Sequence, residues 1–259
     1  MPIPQPFRLD GRIAFVSGAR GHLGAAMTRA LAGAGAHVII NGRDDSKLAR
    51  FQEQLGGEGF SVERATFDIA DIGAVRAFFA GRERLDILVN NAVSMQVKGF
   101  SSLQPQDFAA TYESAVTAAF EAVRAALPAL RRAVALAGDA SVVNVSSMYG
   151  QVAPDGRLYA SRDGQSPFHY GPVKAALLQL TRHLAAELGS EGIRVNALVP
   201  GPFPAGIDAE VGQRLAERTM LGRLGKAAEI AGPLLFLASK ASSYMTGAAL
   251  NIDGGWTAW

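Results

Sequence analysis

Short apolar runs alternate along this chain with longer stretches whose apolar positions recur every three or four residues. The runs at 12–17, 37–40, 61–67, 85–90, 141–146, 193–199 and 248–252 read as seven β-strands. The stretches at 22–34, 45–55, 71–80, 105–133, 170–188 and 227–238 read as helices. Asp71 stands as an N-cap, Pro105 opens the longest helix, and Pro128 is placed to kink it. Strands that alternate with helices predict an α/β fold with a parallel sheet and right-handed crossovers. The strands are continuously apolar rather than alternating, which predicts helices on both faces of the sheet. No linker or internal repeat interrupts the pattern, so residues 1–259 read as one domain.

Composition narrows the chemistry. Of 259 residues 49% are hydrophobic and 19% charged, a balance that builds a core. The net charge is +2 with no dense basic run, so no nucleic-acid partner is expected. There is no cysteine, which excludes disulfides, thiolate nucleophiles and cysteine-held metals. The four histidines, His22, His37, His169 and His183, form no HxxxH or HExxH pattern, so no metal site is expected. The first residues carry no basic segment followed by an apolar one, and no apolar run is long enough to span a bilayer. The expectation is a cytoplasmic protein with no membrane partner.

Ser17-Gly-Ala-Arg-Gly-His-Leu-Gly24 directly follows the first strand and opens the first helix. Glycines at such a junction let backbone N–H groups approach a pyrophosphate seated on the helix N-terminus. The segment Gly18, Arg20, Gly21, His22, Leu23 and Gly24 is therefore a candidate dinucleotide cradle. An NAD-binding chain usually places an acid at the end of the second strand for the ribose hydroxyl. Here that place reads Asn41-Gly-Arg43. Arg43, with Arg20 in the turn, can hold a 2′-phosphate, which predicts NADP in preference to NAD. The plain alternative is a solvated arginine.

Tyr170-Gly-Pro-Val-Lys174 sets a phenol and an ammonium four residues apart, on one face of a helix. A phenol titrates near ~10, and a neighbouring cation lowers that value toward use as a general acid–base group. Taken alone the spacing also fits an ordinary surface turn.

Over nearly its full length the chain resembles the short-chain dehydrogenase/reductase family. The motifs that carry the resemblance occur in order: the glycine turn at 17–24, Asp68-Ile69, Asn90-Asn91-Ala92, Ser147, Tyr170 with Lys174, Arg194-Val-Asn-Ala, Pro200-Gly201, Tyr244-Met-Thr-Gly247 and Asp253-Gly-Gly255. Asn41-Gly-Arg43 is most similar to the gluconate 5-dehydrogenase branch and other sugar or polyol members. The resemblance implies a doubly wound Rossmann fold with a seven-stranded parallel sheet. It implies that Ser147 polarises the substrate oxygen and that Tyr170 is the acid–base group. Lys174 holds the nicotinamide ribose and lowers the Tyr170 pKa. Asp68 and Ile69 lie by the adenine, and Asn91 and Ala92 by the adenosine ribose. Pro200, Gly201 and Phe203 belong to a segment against the carboxamide, and 203–220 form a substrate lid. The implied assembly is a homotetramer or homodimer, with the two long helices and the C-terminal end at interfaces. The stripe Ala115, Ala118, Ala119, Ala122 and Val123 suits such an interface or a core face, and Trp256 and Trp259 suit packing on a neighbouring subunit.

The sequence departs from the family pattern at five places. His22 stands where a glycine is usual, Val93 follows Asn90-Asn91-Ala92, and Ala205 stands for the usual threonine after Pro200-Gly201. Aligned on Phe120, the asparagine that normally relays protons to the lysine is Ala115, with Ser114 beside it. Ser147 and Tyr170 are 23 positions apart, wider than usual, so 151–169 is an inserted loop at the site mouth. Within it Arg157, Arg162 and His169 can bind an anionic or polyhydroxylated substrate. Alternatively the loop is solvated, with Asp155 and Asp163 as ion partners. Tyr159 is a rival phenol, but Asp163 occupies the place of its lysine. The expected function is hydride transfer between a nicotinamide and a secondary alcohol or ketone, on a sugar, sugar acid or polyol. The alternatives are a 3-oxoacyl carrier-protein reductase and a non-catalytic NADP(H) sensor.

Overall fold

The computed structural model describes residues 5–161 and 164–259. The seven apolar runs form strands β1 (Ile13–Val16), β2 (His37–Gly42), β3 (Val62–Thr66), β4 (Ile87–Asn90), β5 (Ala140–Val145), β6 (Ile193–Pro200) and β7 (Ala249–Ile252). They pair in parallel in the order β3-β2-β1-β4-β5-β6-β7. The chain therefore winds outward in both directions from β1 and β4, which leaves a crevice beyond their C-terminal ends.

Alternation of side chains puts β2 in contact with two separate cores. Val38 and Ile40 face a cluster with Met27, Leu31, Leu48 and Leu234, while Ile39 faces the opposite cluster with Val75, Phe79, Ala122 and Leu130. The helices that cover these faces are α1 (His22–Gly33), α2 (Asp45–Gly57), α3 (Ile72–Ala80), α4 (Pro105–Tyr112), α5 (Ala118–Ala137), α6 (Tyr170–Leu188), α7 (Ala209–Arg218) and α8 (Ala231–Ala238). Asp71 caps α3 as expected, accepting from Ala74 N at 3.0 Å. Asp44 caps α2 in the same way, accepting from Lys47 N at 3.0 Å.

Three differences from the sequence reading bear on the site. The long helix runs without interruption through Pro128, and its irregularity is instead a π turn at Glu113–Thr117 that joins α4 to α5. α7 has no counterpart in the strand–helix reading because it is short and mostly polar. Its signals are Asp208, which caps Glu210 N and Val211 N, and the pair Val211 and Leu215 four residues apart. The stripe Ala115, Ala118, Ala119, Ala122 and Val123 is buried within the chain itself, so it is a core face. Trp256 is likewise buried against its own chain, among Tyr149 and Leu215. Among the described residues no helix is long and apolar enough to cross a membrane.

Candidate active site

The glycine turn after β1 is shaped by close approach rather than by flexibility. Gly18 has φ +62°, a left-handed conformation that favours glycine. A Cβ on Gly24 would lie 2.2 Å from the Gly18 carbonyl oxygen, so α1 packs directly on the turn. Asn91, just past β4, donates its side-chain amide to Ser17 O at 2.9 Å and to Gly18 O at 3.2 Å. Its amide therefore pins the turn across the crevice. No side chain caps α1, whose N-cap is Gly21, so its first-turn N–H groups are open to an anion.

A groove of about 530 Å³ runs from this turn along the sheet edge. Gly18, Arg20, Gly21, Arg43, Asp68, Ile69, Asn91 and Ala92 all line it. Arg43 and Asp68 face each other across the groove at 3.5 Å, the arginine exposed and the aspartate half-buried. The sequence reading missed Lys47 and Ser114, which also line it. The available signal for Lys47 was its place in the first turn of the helix after Arg43; it pairs with Asp44 at 2.7 Å.

The remaining cofactor candidates lie off the groove. His22 is exposed at the start of α1, Leu23 packs on the core, and Gly24 is the contact with Gly18. Pro200 ends β6 opposite Ile252. Gly201 rests on Asp253, whose Cα would be 2.5 Å from a Cβ there. The Phe203 ring lies over Gly225, where a Cβ would be 2.6 Å from it.

Ser147, Tyr170 and Lys174 come together where β5 ends and α6 begins. Ser147 caps the single 3₁₀ turn Met148–Gly150, accepting from Tyr149 N at 3.2 Å. α6 lies flat on that turn because glycines permit it. A Cβ on Gly150 would meet the Lys174 backbone at 2.8 Å, and one on Gly171 would meet Tyr149 O at 2.8 Å. Lys174 is 2% exposed. Its Nζ donates to Val145 O at 2.7 Å and lies 5.6 Å from the centre of the Tyr170 ring.

Burial pushes the Lys174 ammonium down to about 8. The Tyr170 phenol is raised by burial, an effect opposed by its hydrogen bond with Ser147. The expected lowering of Tyr170 by the lysine charge is therefore not what this arrangement produces. Desolvation sets the direction, and Ser147 supplies the opposing interaction.

Val152, Leu158 and Tyr159 pack on this corner, and the segment they belong to is tied to α7. The hydroxyls of Tyr149 and Tyr159 hydrogen-bond to each other, which takes Tyr159 away from the Tyr170 position. Arg214 of α7 donates to Leu158 O at 2.9 Å. Arg157 pairs with Asp155 at 2.7 Å, the solvated-loop arrangement. Arg162 and Asp163 lie outside the described residues.

His169 is not at the mouth. It is fully buried with neither ring nitrogen hydrogen-bonded among the described residues, its ring 5.7 Å from that of Phe108. Burial lowers its pKa, opposed by the Asp107 charge and aided by Lys98. A histidine whose folded pKa lies below its unfolded value near ~6.5 favours the folded state fully above that value and loses that contribution as pH falls below it. Thermal denaturation of wild type and His169→Phe from pH 8 to 5 is expected to show wild type losing ground to the variant only below about pH 6.5. A pH-independent difference would contradict this.

Ser114 bonds Ser94 through its hydroxyl, accepting from Ser94 N at 3.1 Å and donating to Ser94 O at 3.0 Å. Ala115, in the π turn, packs with Val116, Val173 and Leu177. The relay position is thus apolar, and the polar group nearest to it in sequence serves the groove wall.

A family model described as enoyl-(acyl carrier protein) reductase matches residues 18–257. The chain is 35% identical to galactitol 2-dehydrogenase (L-tagatose-forming) of Cereibacter sphaeroides, over 98% of each chain. It is 32% identical to gluconate 5-dehydrogenase of Gluconobacter oxydans, over 99% of each. Among solved structures, a gluconate 5-dehydrogenase from Burkholderia cenocepacia in complex with NADP and tartrate matches with TM-score 0.86 at 32% identity, covering 98% of each chain.

Proposed function

The chain belongs to the short-chain dehydrogenase/reductase family and is an oxidoreductase, and from that premise we propose that it interconverts a secondary alcohol and a ketone of a sugar, sugar acid or polyol with NADP(H). The observation that carries the reading is the convergence of Ser147, Tyr170 and Lys174 at one corner, held by glycine contacts between α6 and the turn after β5. The relatives act on a polyol and a sugar acid by name, and a structural neighbour holds NADP.

The groove fits a dinucleotide. The Gly18–Gly24 contact leaves no room for side chains, the first turn of α1 is uncapped, and Arg20, Arg43 and Lys47 line the groove. When bound, the nicotinamide accepts or donates the hydride. In oxidation Tyr170 takes the alcohol proton as the C–H bond gives up its hydride and the carbonyl forms; the proton then leaves to solvent. In reduction Tyr170 returns a proton to the carbonyl oxygen. Ser147 donates to that oxygen as negative charge develops on it. Lys174 has donors beyond the one it gives to Val145 O, and these would hold the nicotinamide ribose.

The 3-oxoacyl carrier-protein reductase reading is less well supported, since the relatives described above act on a polyol and a sugar acid. The apolar groove between α4 and α6, lined by Phe108, Tyr112, Pro172 and Val173, supports assembly as a homodimer or homotetramer, to be measured by light scattering. The functional test is NADP⁺ reduction against a panel of sugars, sugar acids and polyols. Turnover of at least one secondary alcohol is expected, and none with the whole panel would overturn the proposal.

Lys174 also carries a cost to stability. Its folded pKa lies well below the ordinary lysine value, so at neutral pH the fold holds a charge that burial disfavours. Lys174→Met removes that charge and gives up one hydrogen bond to Val145 O. The net gain is on the order of 1–2 kcal/mol, a rise of a few degrees in Tm. A fall in Tm at pH 7 would show that the lysine stabilises the fold.

A further inference from the structure

Arg218 is the last residue of α7, and its surroundings set it apart from the other surface arginines. Its guanidinium carbon lies 5.4 Å from the ring centres of both Trp256 and Trp259. Two aromatic faces hold the planar group in place. Among the described residues its Nη1 is buried with no hydrogen-bond partner. A buried guanidinium N–H without an acceptor is uncommon, because the charge and the donor both lose their water. One acid, Asp155, feels the Arg218 charge. Its oxygens, however, are already taken by Arg157 N and Nε and Nη2 at 2.7–3.2 Å.

The position adjoins the reaction corner through Trp256. The Trp256 ring is 6.3 Å from that of Tyr149, two residues past Ser147. Tyr170 packs against the same cluster of Tyr149, Leu215 and Trp256. The arrangement is a preset cation on an aromatic platform that joins the packing around Tyr170 through Trp256, with the donors of Nη1 unspent. A carboxylate is the acceptor that matches it, planar and able to take parallel N–H bonds. We infer that Arg218 binds the carboxylate of the substrate, so that the enzyme acts on a hydroxy acid or keto acid in preference to the neutral polyol.

This rests on the oxidoreductase reading above and names the substrate class within it. The test is steady-state kinetics with NADP⁺, gluconate as the acid and a six-carbon polyol as the neutral comparison, on wild type, Arg218→Met and Arg218→Lys. Wild type is expected to favour the acid in kcat/KM. Arg218→Met should raise KM for the acid about tenfold or more relative to its effect on the polyol. Arg218→Lys should recover part of that ratio, because it restores the charge without the planar fork. Equal losses on both substrates would mean that Arg218 only anchors the C-terminal tryptophans. A wild-type preference for the polyol would also overturn the inference while leaving the oxidoreductase reading intact. Failure of wild type on the whole panel would remove both.

Discussion

Tyr170→Phe is expected to lower kcat/KM by roughly 10²–10⁴, the usual worth of a positioned acid–base group, while NADP(H) binding and Tm change little. The substitution removes one oxygen and keeps the ring. That ring packs beside Tyr149 and Trp256 at the start of α6, so the backbone contacts at Gly150 and Gly171 that assemble the corner stay in place. Ser147 keeps its bond from Tyr149 N and can still donate to the substrate oxygen. What disappears is the group that exchanges a proton with that oxygen. Polarisation of the oxygen by Ser147 accounts for the residual rate. Single-turnover kinetics with cofactor affinity measured by fluorescence separates the two contributions. A variant that retains turnover within about threefold of wild type would remove Tyr170 from the chemistry, and the two phenols packed beside it, Tyr149 and Tyr159, are already bonded to each other.

The parts of this corner that were legible in the sequence are those set by local, repeating signals. Strand runs and helix periods follow from burial on two faces, so β1 to β7 appear near their expected places, with ends shifted by one or two residues. The glycine turn was legible because glycines follow an apolar strand and precede a helix. The contacts that explain Gly150 and Gly171 were not, since they depend on backbone brought close from elsewhere in the chain.

His169 is the clearest reversal. A histidine one residue before Tyr170 on an inserted loop reads as exposed, yet Phe108 from α4 covers it. Only the packing of α4 on α6 decides that. Tyr170 makes the same point about energetics. Sequence spacing shows that a lysine is near, but burial, which spacing does not encode, sets the direction of its pKa. Arg218 carried no signal at all in the sequence, because its unspent donor exists only once Trp256 and Trp259 are folded against α7.

Replacing both Arg20 and Arg43 with serine is expected to raise KM for NADP⁺ about 100-fold and to leave KM for NAD⁺ within about threefold. A 2′-phosphate is a dianion that takes charge-assisted hydrogen bonds worth roughly 1.5–3 kcal/mol each when well formed. Both arginines line the groove from exposed positions, so solvent screening holds each to the lower end, and two such contacts give about two factors of ten. Asp68 sharpens the outcome. It stands 3.5 Å from Arg43, so removing Arg43 leaves a carboxylate facing the phosphate, which repels NADP⁺ and is harmless to a ribose hydroxyl. Lys47 does not make up the loss, because Asp44 holds it at 2.7 Å. The discrimination should also weaken with added salt, since exposed charges are screened over about 8 Å at 0.15 M ionic strength. KM for both cofactors, measured at low and at physiological salt on wild type and the double variant, decides the matter. Tighter use of NAD⁺ by wild type, or a change in NADP⁺ KM below threefold, would show that these arginines are surface charges without a phosphate to hold.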